Sequence, residues 1–180
     1  MRGSFIKKNS DEVDYNALKK AFWAFSKRLY AISELEDAWI CLEQKYELNL
    51  NLVFLCCFLP TCDFQQLTKE DLRFVSERIL LWHTKVVEPL RKLYQRLYQL
   101  HRKPPLFQLA DLALRNEILA EQAEQSLMLQ VIYRLKDRER LSVSPANRIL
   151  SNIFEYINES QVKLHSNDFE KIYRIVNQCF

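Results

Sequence analysis

The chain has 180 residues, of which 48% are hydrophobic, with 26 lysines and arginines against 23 aspartates and glutamates. This length and apolar content are typical of a globular domain with a core of its own. Its single glycine, Gly3, argues against phosphate-binding glycine loops, nucleophile elbows and tight β-hairpins, and therefore predicts an all-α protein.

The N-terminal end carries no sorting signal that we recognise. Residues 1–13 are polar, lack the apolar run of a signal peptide, and are predicted to form a flexible tail. The most apolar segment, residues 48–60, is about half as long as a membrane-spanning helix. Five cysteines, an odd number set among apolar neighbours, favour a reducing compartment. We expect a cytoplasmic protein.

Apolar spacing predicts the first three helices. Apolar residues at positions 18, 22, 25 and 29 indicate a helix over residues 14–31. Ser33 and Glu36 have the spacing of a capping box that starts a second helix. Residues 48–59 predict a short central helix that Pro60 ends. The alternating leucines and asparagines at its start also fit a buried strand, but the chain offers no partner strand.

Two longer helices follow and are predicted to form an αα-hairpin. The first starts at a capping box of Thr68 and Asp71, and its apolar seam slips around Pro89, where we expect a kink. A turn at residues 103–105 leads into the second helix, residues 106–140. The residues predicted to form its inner seam are Leu109, Ala113, Asn116, Ala120, Ala123, Leu127, Val131 and Leu135.

The last forty residues predict two more helices. Ser144 and Pro145 have the N-cap and first-turn pattern of a helix that runs to residue 158. Asn167 with Glu170 indicates a final helix over residues 168–178. We therefore predict a compact bundle of six or seven helices around a central hydrophobic helix. Its parts are a tail (1–13), a helical core domain (14–141) and a C-terminal helical hairpin (142–180) packed on or appended to that core.

The sequence shows no catalytic motif and predicts no metal and no cofactor. Its cysteines and histidines lack metal-ligand spacing. Glu117, Glu121 and Glu124 share one helical face that could hold Mg²⁺, but we interpret them as a solvated face. Cys56 and Cys57 lie in an apolar run, where burial makes a thiol inert. Whether the protein is an enzyme stays open, with the balance against it.

The most distinctive polar feature is a basic stretch at the end of the first long helix. Interleaved cations and tyrosine fit an acidic partner protein, and nucleic acid or anionic lipid remain alternatives. A solvated helix end, where cations offset the helix dipole, is also open. The candidate partner-binding residues are Arg91, Lys92, Arg96, Tyr98, Arg102 and Lys103.

Several short motifs resemble one known pattern. They are Phe22-Trp23-Ala24-Phe25, Cys41-Leu42-Glu43-Gln44, Asn51-Leu52-Val53-Phe54-Leu55-Cys56-Cys57, Trp82, Val86-Val87 and Pro89-Leu90-Arg91. Together they resemble a conserved hypothetical family of proteobacteria, a domain of unknown function, over about residues 22–135. Glu47 stands where that pattern has glycine, and Phe58 where it has tryptophan. The resemblance implies a helical, cytoplasmic, bacterial protein and transfers no activity.

Two functional hypotheses follow from these observations. The leading one is a non-enzymatic interaction or adaptor protein that uses the basic helix face. The alternative is a bundle that binds a lipid or an apolar small ligand. The residues predicted to line such a pocket are Phe22, Trp23, Trp39, Asn51 and Phe54.

Overall fold

The computed structural model describes residues 15–62, 64, 66–100, 104–132 and 143–180. Within these ranges the chain forms seven helices and no strand, which confirms the predicted all-α bundle. The predicted flexible tail, Leu135, Arg102 and Lys103 lie outside the described residues.

The seven helices are joined by short connections, and two of them contain a wide π turn. The bounds are α1, Tyr15–Tyr30; α2, Glu36–Ile40 continued by the π turn Cys41–Lys45; α3, Leu50–Thr61; α4, Lys69–Trp82, the π turn His83–Val87 and Glu88–Gln99; α5, Pro104–Ile132; α6, Pro145–Glu159; and α7, Phe169–Asn177. Short 3₁₀ turns precede α2 (Ser33–Leu35) and α7 (Ser166–Asp168).

Local capping signals fix several helix starts. Thr68 and Asp71 form the predicted capping box of α4, and the Ser144 hydroxyl accepts the backbone N–H of Asn147 at the start of α6. The box predicted for Ser33 and Glu36 is wrong, because the Ser33 hydroxyl bonds to the Glu34 carboxylate and a 3₁₀ turn intervenes.

Helix α3 is the central helix, as predicted. All its residues from Leu50 to Pro60 are buried. Pro60 was predicted to end the helix, but it lies inside the last turn. Proline cannot donate to the carbonyl four residues earlier, which is that of Cys56. The Asn152 side chain of α6 donates to that carbonyl at 3.2 Å instead, so the helix continues for another residue.

The apolar core surrounds α3 on all sides. Phe22 of α1 stacks on Phe58 at 5.0 Å between ring centroids, and Trp39 of α2 meets Phe54 edge-on at 5.2 Å. The C-terminal helices contribute Ile153 and other residues to the same cluster. Aromatic residues of this size each contribute a few kcal/mol on burial, so these contacts hold α1 and α2 against α3.

Helix α4 is irregular where the seam slips. The π turn His83–Val87 directly precedes Pro89, which lies in the first turn of the regular helix that follows. A π turn inserts a residue into the helical repeat and changes which side chains face the core. The helix is therefore irregular next to Pro89 through a π turn, whereas the sequence predicted a kink there.

Position 47 offers a test of the fold at a single residue. Glu47 follows the π turn of α2 with a φ of 53°, in the left-handed region that favours glycine. We expect Glu47→Gly to raise the free energy of unfolding by about 0.5–1 kcal/mol, measured by urea denaturation. Gln44→Gly, an exposed change inside the π turn, should destabilise. A loss of stability in Glu47→Gly would contradict this account.

Asp168 attaches the start of α7 to α2. Its carboxylate accepts hydrogen bonds from Lys45 Nζ at 2.7 Å, the Tyr46 hydroxyl at 2.7 Å and Lys171 Nζ at 2.8 Å. These hydrogen bonds hold the pKa of Asp168 well below its usual range. The largest effect comes from the Lys171 ammonium, followed by the Lys45 ammonium and the Tyr46 hydroxyl.

This attachment predicts a pH dependence of stability. A carboxyl with a lowered folded pKa stabilises above its unfolded pKa of about 3.9, and that contribution disappears as the pH falls through the folded value. Asp168→Asn should therefore lower the urea midpoint at neutral pH. The difference in urea midpoint between the variant and the native chain should become smaller below about pH 4. Asp111→Asn, in an exposed ion pair, is the control and should change little. A pH-independent deficit would contradict the assignment.

Candidate functional site

The inner face of α5 contains buried polar residues that the sequence analysis missed. Ala113, Ala120 and Val131 of the predicted inner seam are buried, whereas Leu109 and Asn116 are exposed. Glu117, Glu124 and Gln125 are buried beside those alanines. The interpretation of the glutamates as a solvated face is therefore wrong for Glu117 and Glu124. Leucines occur on several sides of this helix, so apolar spacing alone does not determine which side faces the core.

Glu124 is the centre of one buried hydrogen-bonded cluster. Its side chain is fully buried, and Oε1 lies 2.8 Å from His83 Nδ1 and 3.3 Å from Asn49 Nδ2. Oε2 accepts from Asn51 Nδ2 at 2.7 Å. Donors from three positions thus satisfy both oxygens, which is what a buried carboxylate requires.

The cluster extends into α1 and α6. Gln125 Nε2 donates to Asn51 Oδ1 at 2.8 Å and to the Ser26 hydroxyl at 3.0 Å. The backbone N–H of Asn49 donates to the Tyr156 hydroxyl at 2.9 Å, and burial raises the pKa of Tyr156. We call Ser26, Asn49, Asn51, His83, Glu124, Gln125 and Tyr156 the Glu124 cluster. Asn49 also caps α3, because its Oδ1 accepts the backbone N–H of Asn51 at 2.8 Å.

Arg91 is the centre of a second cluster beside the first. Its guanidinium bonds to Glu43 of α2, to Glu117 Oε1 at 2.8 Å and to Glu121 Oε1 at 2.6 Å. Burial alone would lower the pKa of Arg91, but the three carboxylates outweigh it and the pKa is raised. Burial raises the pKa of the Glu121 carboxyl, and Arg91 opposes that shift.

The three carboxylates considered as Mg²⁺ ligands, Glu117, Glu121 and Glu124, are divided between these two clusters. Glu117 and Glu121 bond to Arg91, and Glu124 bonds to His83 and two asparagines. No group of three or more acidic, histidine or cysteine side chains in the described part of the chain is arranged to hold a metal ion. Cys56 and Cys57 are buried and unoxidised, and burial raises the pKa of the Cys56 thiol, so it is not activated.

The predicted partner-binding residues separate in the structure. Arg91 lies between helices, as described above. Lys92, Arg96 and Tyr98 are exposed on α4, with Lys92 paired to Glu88 at 2.7 Å. Arg96 makes no ion pair with any residue that the structure describes. The structure therefore brings three of the six candidates to the surface of the hairpin.

Exposed leucines surround these cations. Leu93 and Leu100 lie three residues before and four residues after Arg96, along α4 and at its C-cap. Leucines have the same spacing around Arg115 in α5. Leu112 and Leu119 are 55% and 60% exposed. We call this surface the hairpin face, and its members are Leu93, Arg96, Leu100, Leu109, Leu112, Arg115 and Leu119.

Each leucine row lies away from the ion cluster on its own helix. At about 3.6 residues a turn, Leu93 and Leu100 lie about half a turn from Arg91, and Leu112 and Leu119 about half a turn from Glu121. Because Arg91 and Glu121 bond to each other between the helices, both rows point away from that contact.

The predicted pocket residues are mostly core. Phe22, Trp39 and Phe54 are in ring contacts, and Asn51 belongs to the Glu124 cluster. Trp23 is half-buried and lines a surface pocket of about 260 Å³ between α1 and α5. Its other lining residues include Lys19, Lys20 and Gln125, whose Oε1 is buried without a donor among the described residues.

Comparison with known proteins shows the family. Residues 21–128, more than half of the chain, match the model of a family described as a protein of unknown function, DUF2390. The chain belongs to this family. The resemblance to a domain of unknown function is thereby confirmed, and a bacterial, cytoplasmic setting stays a prediction. The matched range includes the residues that α4 and α5 contribute to the two clusters, and it ends before α6 and α7.

Two further comparisons gave no relatives. No curated protein matches the chain, and no solved structure matches it. In addition, none of the described helices is long and apolar enough to cross a membrane. Function is therefore argued from this chain's own surfaces.

Proposed function

We propose that this protein is a non-enzymatic interaction protein that binds another protein through the hairpin face. One observation carries the proposal: the leucines of this face are about half exposed on two long helices that pack against each other. A contiguous apolar surface rimmed by polar residues is typical of a protein-binding site. Its exposure costs free energy unless a partner covers it.

The residue types of the hairpin face favour a protein as the partner over a nucleic acid. Arg96 and Arg115 each have leucines three residues before and four residues after them. Nucleic-acid sites place cations and aromatic rings along the path of the phosphates, whereas protein interfaces have an apolar centre and a charged rim. Protein binding fits this arrangement best.

The buried clusters support a structural rather than a catalytic role for the polar core. Glu124, Glu117 and Glu121 each bond to donors from another helix. A catalytic acid or base must instead present an atom to a substrate. These groups stabilise the hairpin, and the hairpin presents the leucines.

A capture experiment tests the proposal. The native chain, immobilised at one end, should capture a stoichiometric protein from the lysate of its source cell, with nuclease present. Leu112→Ser combined with Leu119→Ser should abolish this capture while the melting temperature changes little, because both side chains are exposed. Ile40→Ser, at an exposed position on α2, is the matched control. Equal capture by the double variant would refute the proposal.

The pocket beside Trp23 favours small-ligand binding as a second candidate function. It joins an indole ring, two lysines and the undonated Gln125 Oε1, a combination that suits an anionic amphiphile with a hydrogen-bond donor. Native mass spectrometry of the purified chain should then show a bound small molecule that Trp23→Ala loses. An unliganded mass, with no thermal shift on adding fatty acids or hydroxylated aromatic acids, would exclude it.

A further inference from the structure

We infer that the pocket between α1 and α5 binds a small planar aromatic acid, with an O–H or N–H group that donates to Gln125 Oε1 and a carboxylate beside Lys19 and Lys20. This inference rests on the second candidate function, and it narrows the ligand from an anionic amphiphile in general to one chemical class. It does not depend on the hairpin face.

The hydrogen bonds of Gln125 leave its amide oxygen as the atom that lacks a partner. Nε2 donates to Asn51 Oδ1 at 2.8 Å and to the Ser26 hydroxyl at 3.0 Å. The Asn51 amide is oriented in turn, because its Nδ2 donates to Glu124 Oε2 at 2.7 Å. Turning the Gln125 amide over would therefore place two carbonyl oxygens against each other. Oε1 has no donor among the described residues, in a side chain that is only 3% exposed.

This oxygen selects a ligand with a hydrogen-bond donor. Gln125 lines the pocket, and a buried amide oxygen without a donor keeps its desolvation penalty until a donor reaches it. A ligand that carries an O–H or N–H group removes this penalty. A ligand with a methyl group in place of that hydrogen has nearly the same shape and leaves the oxygen without a partner.

The rest of the lining limits the shape of the ligand. Only Trp23 and Leu129 of the seven lining residues are apolar. A long acyl chain needs a mostly apolar lining, and a cavity of about 260 Å³ is smaller than the usual site of a drug-sized molecule. A single flat ring system fits both limits, because one of its faces can stack on the Trp23 indole while its edge carries polar groups.

Two ammonium groups at the pocket favour an acid. Lys19 and Lys20 line it and make no ion pair with any residue that the structure describes. Lys19 Nζ lies 5.0 Å from the centre of the Tyr15 ring, and the Tyr15 hydroxyl donates to the Ser126 carbonyl at 2.8 Å. The wall that holds this lysine is therefore bonded from α1 to α5. A carboxylate on the ligand meets cations that are not already paired with described carboxylates.

A panel of matched acids tests the inference on the full chain. The probes are the hydroxybenzoates and an indole carboxylate, each with its O-methyl or N-methyl counterpart and its uncharged amide, and octanoate as an acyl acid. By isothermal titration calorimetry, at least one donor-bearing acid should bind about tenfold more tightly than its methylated counterpart. It should also bind more tightly than its amide and than octanoate, with weakening at high salt.

Variants of the two lysines test the position of the carboxylate. Lys19→Gln combined with Lys20→Gln should remove the advantage of the acid over its amide while the preference over the methylated counterpart remains. Lys27→Gln, at an exposed position on α1 outside the pocket, is the matched control and should change neither preference.

The outcomes separate the ligand class from the pocket itself. Equal binding of the methylated counterparts, equal binding of the amides, tighter binding of octanoate, or no binding of any probe overturns the aromatic acid. If native mass spectrometry then still shows a bound small molecule that Trp23→Ala loses, the second candidate function stands with another ligand. An unliganded mass together with no binding of any probe overturns both.

Discussion

Glu124→Ala is expected to lower the free energy of unfolding by about 3–5 kcal/mol, measured by urea denaturation followed by far-ultraviolet circular dichroism. The change leaves the His83 ring and the side-chain amides of Asn49 and Asn51 without the carboxylate that they contact. Buried donors that lose their acceptor keep their desolvation penalty, and the deleted side chain leaves a cavity. This is one of the two largest effects that the structure predicts.

Two control variants distinguish the loss of the Glu124 contacts from a change in helix propensity. Glu77→Ala, at an exposed position of α4, should change stability by less than about 0.5 kcal/mol. Glu124→Gln keeps the shape and one oxygen acceptor and should cost less than the alanine variant. If Glu124→Ala falls within about 1 kcal/mol of the native chain, the cluster does not stabilise the bundle.

Arg91→Met should destabilise the chain by a similar amount, about 3–5 kcal/mol at neutral pH. The methionine keeps much of the buried stem but removes the positive charge that Glu43, Glu117 and Glu121 share. Three carboxylates then face one another without a cation. Arg96→Met, five residues further along α4 and exposed, is the matched control and should leave stability unchanged.

The pH dependence of Arg91→Met identifies the cause of its instability. Burial raises the pKa of Glu121 in the folded chain, and Arg91 opposes that shift. Without Arg91 the folded pKa rises further, so the folded state binds protons more tightly than the unfolded state. The contribution of such a carboxyl to stability is fully present below its unfolded pKa of about 4.3. It is lost as the pH rises through the pKa of the folded state.

The variant should therefore regain part of its stability between neutral pH and about pH 5, while the Arg96→Met control follows the native chain. Denaturation midpoints at several pH values measure this. A deficit that is constant over this range would show that packing, not charge, accounts for the loss.

Signals within a few residues of each other predicted much of the fold. The capping box of Thr68 and Asp71, the Ser144 cap and the apolar run of α3 are local, because each depends on neighbours along the chain. The slip of the seam near Pro89 indicated an irregular helix at this point but did not indicate its form, a π turn.

Non-local partners explain what could not be predicted. Pro60 remains helical because Asn152, far along the chain, supplies a donor to the Cys56 carbonyl. Glu124 is buried because Asn51 and His83 come from two other helices. The alanines of the predicted α5 seam are buried, but the sequence of this helix alone does not show that Glu117 and Glu124 lie beside them. Arg91 was assigned to the surface for the same reason.

The central claim is that α4 and α5 use one side for the polar core and present the other to a partner. Lysate capture by the native chain, by Leu112→Ser with Leu119→Ser, and by the Ile40→Ser control tests it most directly, each with its melting temperature. We expect the double variant to melt like the native chain and to lose the captured protein, which the control retains. Undiminished capture by the leucine variant, with its fold intact, would contradict it.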